Sequence, residues 1–77
     1  MKKLTIKQKM VFEYINWFVS EHGFSPTIRE IQKGLKLKYP NSVFEVLMCL
    51  EKYGYISTTY GKARTIKVLR SDIDEKS

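Results

Sequence analysis

Residues 24–50 read FSPTIREIQKGLKLKYPNSVFEVLMCL, and their capping residues and apolar spacing predict the central part of the fold. Thr27, followed three residues later by Glu30, forms a capping box that opens a short helix through roughly Gly34. Pro40 fits the first position of the next helix, where its missing N–H costs no hydrogen bond. Two helices joined by so short a turn predict a helix-turn-helix.

The later of these two helices has one apolar face and one polar face, and Gly54 ends it. Helical spacing puts four apolar side chains on one line: Val43, Val46, Leu47 and Leu50. The opposite line is expected outside the core and holds Asn41, Glu45, Met48 and Lys52. In the shorter helix and the turn, the residues expected to face inward are Ile31, Leu35 and, as a buried plug, Leu37.

Upstream, a further helix is predicted from Thr5, which forms a capping box with Gln8, to about Glu21. Gly23 fits the left-handed position that follows many helices. The side chains of this helix that are expected to face inward are Val11, Phe12, Ile15, Phe18, Val19 and His22. This helix is needed to complete the core, so all the elements must pack as one unit.

Downstream of Gly54, residues 55–60 and 64–69 are rich in β-branched and aromatic side chains, as strands are. Residues 61–63 contain a glycine and make a short turn, so a β-hairpin is predicted. The expected fold class is α+β, mainly α: a three-helix winged helix-turn-helix with a C-terminal two-stranded β-hairpin wing. Residues 1–70 form this domain, and residues 71–77 form a polar flexible tail.

Composition restricts the function class. The 77 residues suffice for one small domain, and 43% hydrophobic residues are too many for a disordered chain. No apolar run reaches the roughly 18 residues that cross a membrane, and no signal peptide opens the chain, so a cytoplasmic protein is expected. With a single cysteine, Cys49, and a single histidine, His22, the sequence predicts no cofactor, no metal site and no enzyme.

A net charge of +6 favours a polyanionic partner, because cations that neutralise phosphates release counterions. Three of the acids lie in the polar tail, so the body of the domain is more basic than the total. The lysines and arginine expected to contact phosphates are Lys36, Lys38, Lys52, Lys62 and Arg64. Backbone N–H groups at Thr27 and Ile28, where a helix starts, are further candidates.

Many of these residues together resemble the DNA-binding domain of the LexA repressor family, without a gap over about residues 1–69. The matching residues of the helices are Leu4, Thr5, Gln8, Val11, Phe12, Ile15, Gly23, Pro26, Thr27, Glu30, Ile31, Leu35, Pro40, Asn41, Glu45, Leu47 and Leu50. Those of the wing are Gly54, Ile56, Gly61, Arg64 and Ile66. The resemblance implies a bacterial or phage-encoded transcriptional repressor that binds double-stranded DNA. Such a protein is associated with the nucleoid when bound and linked to the SOS response.

The resemblance also implies which residues contact bases, because the family places its third helix in the major groove. The corresponding positions here are Tyr39, Asn41, Ser42, Phe44 and Glu45. Only Asn41 and Glu45 keep the family's residue, so a different preferred sequence is expected. The family's second domain, with its self-cleavage site and dimer interface, is not part of the resemblance.

One feature of the first helix is not required for DNA binding. Met10, Tyr14 and Trp17 form a second apolar line beside the core-facing one. This line either packs beneath the wing or tail, or forms a surface for a homodimer or a partner regulator. The second possibility leaves open an alternative function, a protein-interaction module on the same fold. Neither a membrane nor a small-molecule substrate is an expected partner.

Overall fold

The computed structural model describes residues 4–70 and contains three helices followed by a hairpin. Helix α1 spans Ile6–His22, α2 spans Ile28–Gly34 and α3 spans Pro40–Lys52. Strands β1 (Ile56–Ser57) and β2 (Lys67–Val68) pair antiparallel, with Ile56 opposite Val68. The predicted class, mainly α with a two-stranded wing, is confirmed. The predicted tail, residues 71–77, lies outside the described residues.

Both predicted capping boxes are present. In α1 the Thr5 hydroxyl accepts from the Gln8 N–H at 3.1 Å, and the Gln8 carboxamide accepts from the Thr5 N–H at 2.9 Å. Thr27 and Glu30 make the same two bonds at the start of α2, again at 3.1 and 2.9 Å. Gly23 ends α1 in the left-handed conformation with φ 80°. Local side-chain bonds thus set where these helices begin.

The core lies where the three helices meet the base of the wing. Its buried side chains include Val11, Phe12, Ile15, Ile31, Val43, Val46, Leu47, Leu50, Tyr55, Ile56 and Ile66. Fully burying one such aliphatic or aromatic side chain contributes about 1.5–3 kcal/mol. Because α3 buries Val43, Leu47 and Leu50, its opposite face is turned to solvent.

Two inward predictions need correction. His22 is exposed, because it is the last residue of α1 and lies beyond the core; its ring packs on Phe18 with centroids 4.2 Å apart. Leu37 is only half-buried at the edge of the core, since it lies in the turn between α2 and α3. Leu35 and Val19 were predicted to face inward and do so, half-buried against the core.

The strands are shorter than the sequence predicts, and threonine side chains explain why. Only two residues of each strand pair, and residues 58–66 form a loop. The Thr65 hydroxyl accepts from the Thr59 N–H at 3.0 Å and faces the Thr59 and Lys62 carbonyl oxygens at 3.0 and 3.1 Å. These bonds satisfy backbone groups that a longer ladder would have used, so the loop is ordered without extended pairing.

Within residues 4–70, no helix has both the length and the apolar character needed to span a bilayer. The same residues contain no group of three or more His, Cys, Asp or Glu side chains arranged to hold a metal ion. Cys49 is half-buried on α3.

Candidate nucleic-acid interface

The solvent-facing side of α3 presents polar side chains at helical spacing. Asn41 and Glu45 are both exposed and lie one turn apart, while Ser42 between them is half-buried. Residues four apart on a helix point to the same side, so the Asn41 amide and the Glu45 carboxylate share one outward direction. The structure therefore brings these two predicted base contacts together on one accessible surface.

Tyr39 lies at the entrance to this helix. It is the N-cap residue of α3 and adopts extended backbone angles, and its side chain makes no capping bond. The ring is 60% exposed, and the Lys38 ammonium lies 5.8 Å from its centroid. An exposed aromatic ring paired with a cation stands next to Asn41 at the same end of the helix.

Phe44 lies between the exposed face of α3 and the wing. It is 38% exposed, and its ring meets Tyr60 edge-to-face with centroids 5.0 Å apart. The Tyr60 hydroxyl donates to Glu51 at 3.2 Å. Burial raises the pKa of the Tyr60 phenol, and the Glu51 carboxylate raises this pKa further. Phe44 and Tyr60 thus connect α3 to the wing loop, an arrangement that the sequence does not reveal.

A groove of about 300 Å³ runs between the start of α2, the side of α3 and the wing loop. Phe44, Leu47 and Ile28 give it an apolar lining, and Arg29 and Lys62 also border it. Arg29 is exposed in the first turn of α2, and no pattern in the sequence singled it out as a possible phosphate contact. Its place two residues after the Thr27 N-cap could have indicated this role, because side chains of the first turn lie close to a ligand bound at the start of a helix.

The lysines predicted to contact phosphates are all exposed. Lys36 and Lys38 precede α3, Lys52 ends it, and Lys62 lies in the wing loop. Lys36 adopts a positive φ of 57°, which lets the chain turn sharply between α2 and α3. Exposed positive charge is therefore present at both ends of α3 and on the wing.

Arg64 is placed differently from these lysines. Its guanidinium donates to both carboxylate oxygens of Glu30, at 3.0 and 2.9 Å, and to the Ser25 carbonyl at 3.0 Å. The Arg64 hydrogen bonds, followed by the Thr27 backbone bond, hold the pKa of Glu30 below its ordinary value. The charge of Arg64 is thus already paired with a carboxylate of the protein, in an ion pair whose two side chains are 40% and 38% exposed.

The backbone at the start of α2 is also partly occupied. The Thr27 N–H donates to the Glu30 carboxylate, and the Thr27 hydroxyl oxygen accepts from the Glu30 N–H. Ile28, the other backbone candidate, is half-buried and lines the groove. A phosphate contact by either residue stays a prediction.

The second apolar line of α1 is divided. Met10 and Trp17 are 42% and 52% exposed, whereas Tyr14 is half-buried and packs against the core. The Tyr14 ring lies so close to the Gly34 backbone that a Cβ at Gly34 would overlap it. Tyr14 is thus mainly a packing residue between α1 and α2, and a self-association role for this line stays a prediction.

The chain is similar in sequence to known proteins of one family. The family model of the LexA DNA-binding domain matches residues 1–65. The LexA repressor of Leptospira biflexa is 44% identical, over 97% of this chain and 37% of that protein. The LexA repressors of Desulfatibacillum aliphaticivorans and Thermosipho africanus are 42% and 39% identical, over 92% and 91% of this chain and 35% of each relative. The chain spans about a third of the length of these relatives.

Proposed function

This chain belongs to the LexA DNA-binding domain family, and we propose on that basis that it binds double-stranded DNA in a sequence-specific way as a transcriptional repressor. The observation that carries the proposal is the outward face of α3, where Asn41 and Glu45 are exposed one turn apart. This face is flanked by exposed lysines at both ends of the helix. Membership of the family does not favour the alternative function, a protein-interaction module that uses α1.

In the proposed complex α3 lies in the major groove. The Asn41 amide pairs with N6 and N7 of an adenine, and the Glu45 carboxylate accepts from N4 of a cytosine. Ser42 and Tyr39 reach neighbouring base edges through their hydroxyls. The exposed part of Phe44 contacts a thymine methyl, while the rest of the ring stays on Tyr60.

Affinity comes mainly from the cations around α3 rather than from α3 itself. Lys36, Lys38 and Lys52 neutralise phosphates beside the major groove. Lys62 brings the wing into contact with the DNA phosphate backbone. The start of α2 at Thr27 and Ile28 faces a further phosphate in this arrangement. We expect binding of this kind to take place at the nucleoid in the bacterial cytoplasm, and the link to the SOS response rests on the resemblance alone.

The deciding experiment is selection of bound sites from random duplex DNA with the full 77-residue chain. We expect one short motif to be enriched. A palindromic motif would indicate two copies on one site, and a single unrepeated motif would indicate a monomer. If no motif is enriched, the proposed function is wrong.

Asn41→Ala then tests the residue roles. Losing a bidentate base contact costs about 1–3 kcal/mol, so binding to the selected duplex should weaken roughly 5- to 150-fold. Binding to a random duplex should stay unchanged, as measured by fluorescence anisotropy. Ser20→Ala, an exposed change on α1, is the matched control. Equal losses on both duplexes would show that Asn41 does not read a base.

A further inference from the structure

We infer that Glu30 and Arg64 form a clasp that holds the wing against the start of α2, so that both act as positioning residues for DNA binding. In this assignment Arg64 does not serve as a phosphate contact, which the sequence had suggested. The inference rests on the proposed function for its effect on DNA, but the clasp itself is a property of the free protein.

The contacts of Arg64 are unusually complete for a wing residue. Two parallel N–H···O bonds of 3.0 and 2.9 Å join it to Glu30, the geometry in which guanidinium and carboxylate pair most strongly. A third bond reaches the Ser25 carbonyl at 3.0 Å. The guanidinium carbon also lies 4.7 Å from the centre of the Phe24 ring. One side chain therefore ties the wing to the segment that leads into α2.

The two capping boxes show that the carboxylate at position 30 is not needed for capping. In the first box Gln8, an uncharged side chain, makes the same two bonds with Thr5, at the same lengths. In the second box Glu30 makes them with Thr27 and also accepts from Arg64. The negative charge of Glu30 thus has its specific use in the clasp, and a glutamine there would keep the cap.

The backbone of Arg64 gives independent support. Its φ of 59° lies in the left-handed region, which glycine or asparagine adopts more readily than arginine. Such a conformation persists only where the surroundings hold the residue in place. The contacts to Glu30, Ser25 and Phe24 supply part of that restraint, in addition to the Thr65 hydroxyl bonds within the loop.

The base and the tip of the wing are held differently. Ile56 and Ile66 anchor the base in the core, and the strands pair over only two residues each. The tip of the loop touches α3 through Tyr60 on Phe44. The clasp is the corresponding attachment on the α2 side of the groove. Together the two attachments set the place of Lys62 relative to the exposed face of α3. Fixing this geometry before binding lowers the entropic cost of association.

Electrostatics and positioning predict opposite results for Glu30→Gln. The substitution removes a negative charge from a protein that binds a polyanion, so charge alone predicts tighter binding. Loss of the clasp predicts weaker binding, because the wing is no longer held in place. The cap is retained in this variant, so α2 is expected to remain folded, which circular dichroism verifies.

The test measures binding of the full chain to its selected duplex over a range of salt concentrations. We expect Glu30→Gln and Arg64→Lys each to weaken binding by about tenfold, with the salt slope unchanged. Lys62→Gln, the matched wing variant, should reduce the magnitude of the slope by about 0.9, since it loses a phosphate contact. Glu13→Gln on α1 is the control for the loss of one negative charge without loss of the clasp. Equal or tighter binding by Glu30→Gln overturns the inference, as does full binding by Arg64→Lys.

Amide exchange in the free protein tests the clasp without DNA. Glu30→Gln and Arg64→Lys should both speed exchange of the Thr59 and Lys62 amides, which are hydrogen-bonded within the wing loop. Exchange of core amides in α1 should stay as in the wild type. Unchanged wing exchange overturns the clasp whatever the DNA results. Failure of the wild-type chain to select any duplex would instead overturn the proposed function, and the exchange result would still decide the clasp.

Discussion

Gly34 is a residue whose role depends on one neighbour. Its backbone is helical, so no special φ requires a glycine there. The Tyr14 ring from α1 lies across it, and a side chain of any size would meet that ring. The absence of a side chain thus allows α1 and α2 to approach closely.

Gly34→Ala should therefore destabilise the fold, although alanine is the better helix former by about 1 kcal/mol. Overpacking of this kind costs about 1–3 kcal/mol, to be measured as the free energy of unfolding in urea. In the Tyr14→Leu background the same change should cost less or stabilise the fold. A stabilising Gly34→Ala in the wild-type background would contradict the contact.

Glu30 gives the fold a pH dependence of known sign. Its pKa is lowered in the folded protein, mainly by the Arg64 hydrogen bonds, so the ionised form stabilises the fold. This contribution is complete above the ordinary glutamate pKa of about 4.3 and is lost as pH falls through the lowered value. The melting temperature of the wild type should exceed that of Glu30→Gln at pH 7, and the difference should shrink towards pH 3. A constant difference would argue against the ion pair.

At the scale of elements, Phe44, Tyr60 and Glu51 join α3 to the wing. Burial raises the pKa of the Tyr60 phenol, and the charge and hydrogen bond of Glu51 raise it further. We expect both Phe44→Ala and Glu51→Gln to lower this pKa, as followed by NMR of the tyrosine ring. The stabilisation linked to the neutral phenol is present below the ordinary pKa of about 10 and lost as pH rises through the raised value. An unchanged pKa in Glu51→Gln would contradict the hydrogen bond between Glu51 and Tyr60.

The wing shows where prediction of elements from sequence stops. β-branched and aromatic residues at 55–60 and 64–69 correctly indicate a hairpin, yet only Ile56–Ser57 and Lys67–Val68 pair. The Thr65 hydroxyl bonds the backbone of the opposite limb instead. Residue preferences describe which backbone angles are favoured, whereas this bond depends on how the two limbs of the loop meet.

At the scale of the whole molecule, charge and base reading are separated. The outward face of α3 holds neutral Asn41 and acidic Glu45, while exposed lysines lie at the ends of the helix and on the wing. Affinity and sequence preference should therefore respond to different substitutions.

Salt dependence measures this separation. If Lys36, Lys38, Lys52 and Lys62 each neutralise one phosphate, log K should fall with log salt with a slope of about −3.6 per chain. Lys38→Gln should reduce the magnitude of the slope by about 0.9, whereas Asn41→Ala should leave it unchanged. Titrations by fluorescence anisotropy at several KCl concentrations supply both numbers. If the slope is the same in Lys38→Gln as in the wild type, Lys38 does not contact a phosphate.

The sequence correctly predicts the helix starts at Thr5 and Thr27, the end of α1 at Gly23 and the buried face of α3. These features depend on residues three or four positions apart, whose geometry a helix imposes. The contacts of Arg64 with Glu30, of Tyr14 with Gly34 and of Phe44 with Tyr60 are set by tertiary packing instead. Those pairs are 16 to 34 positions apart. Packing of the shared core brings them together, and no local pattern contains that information.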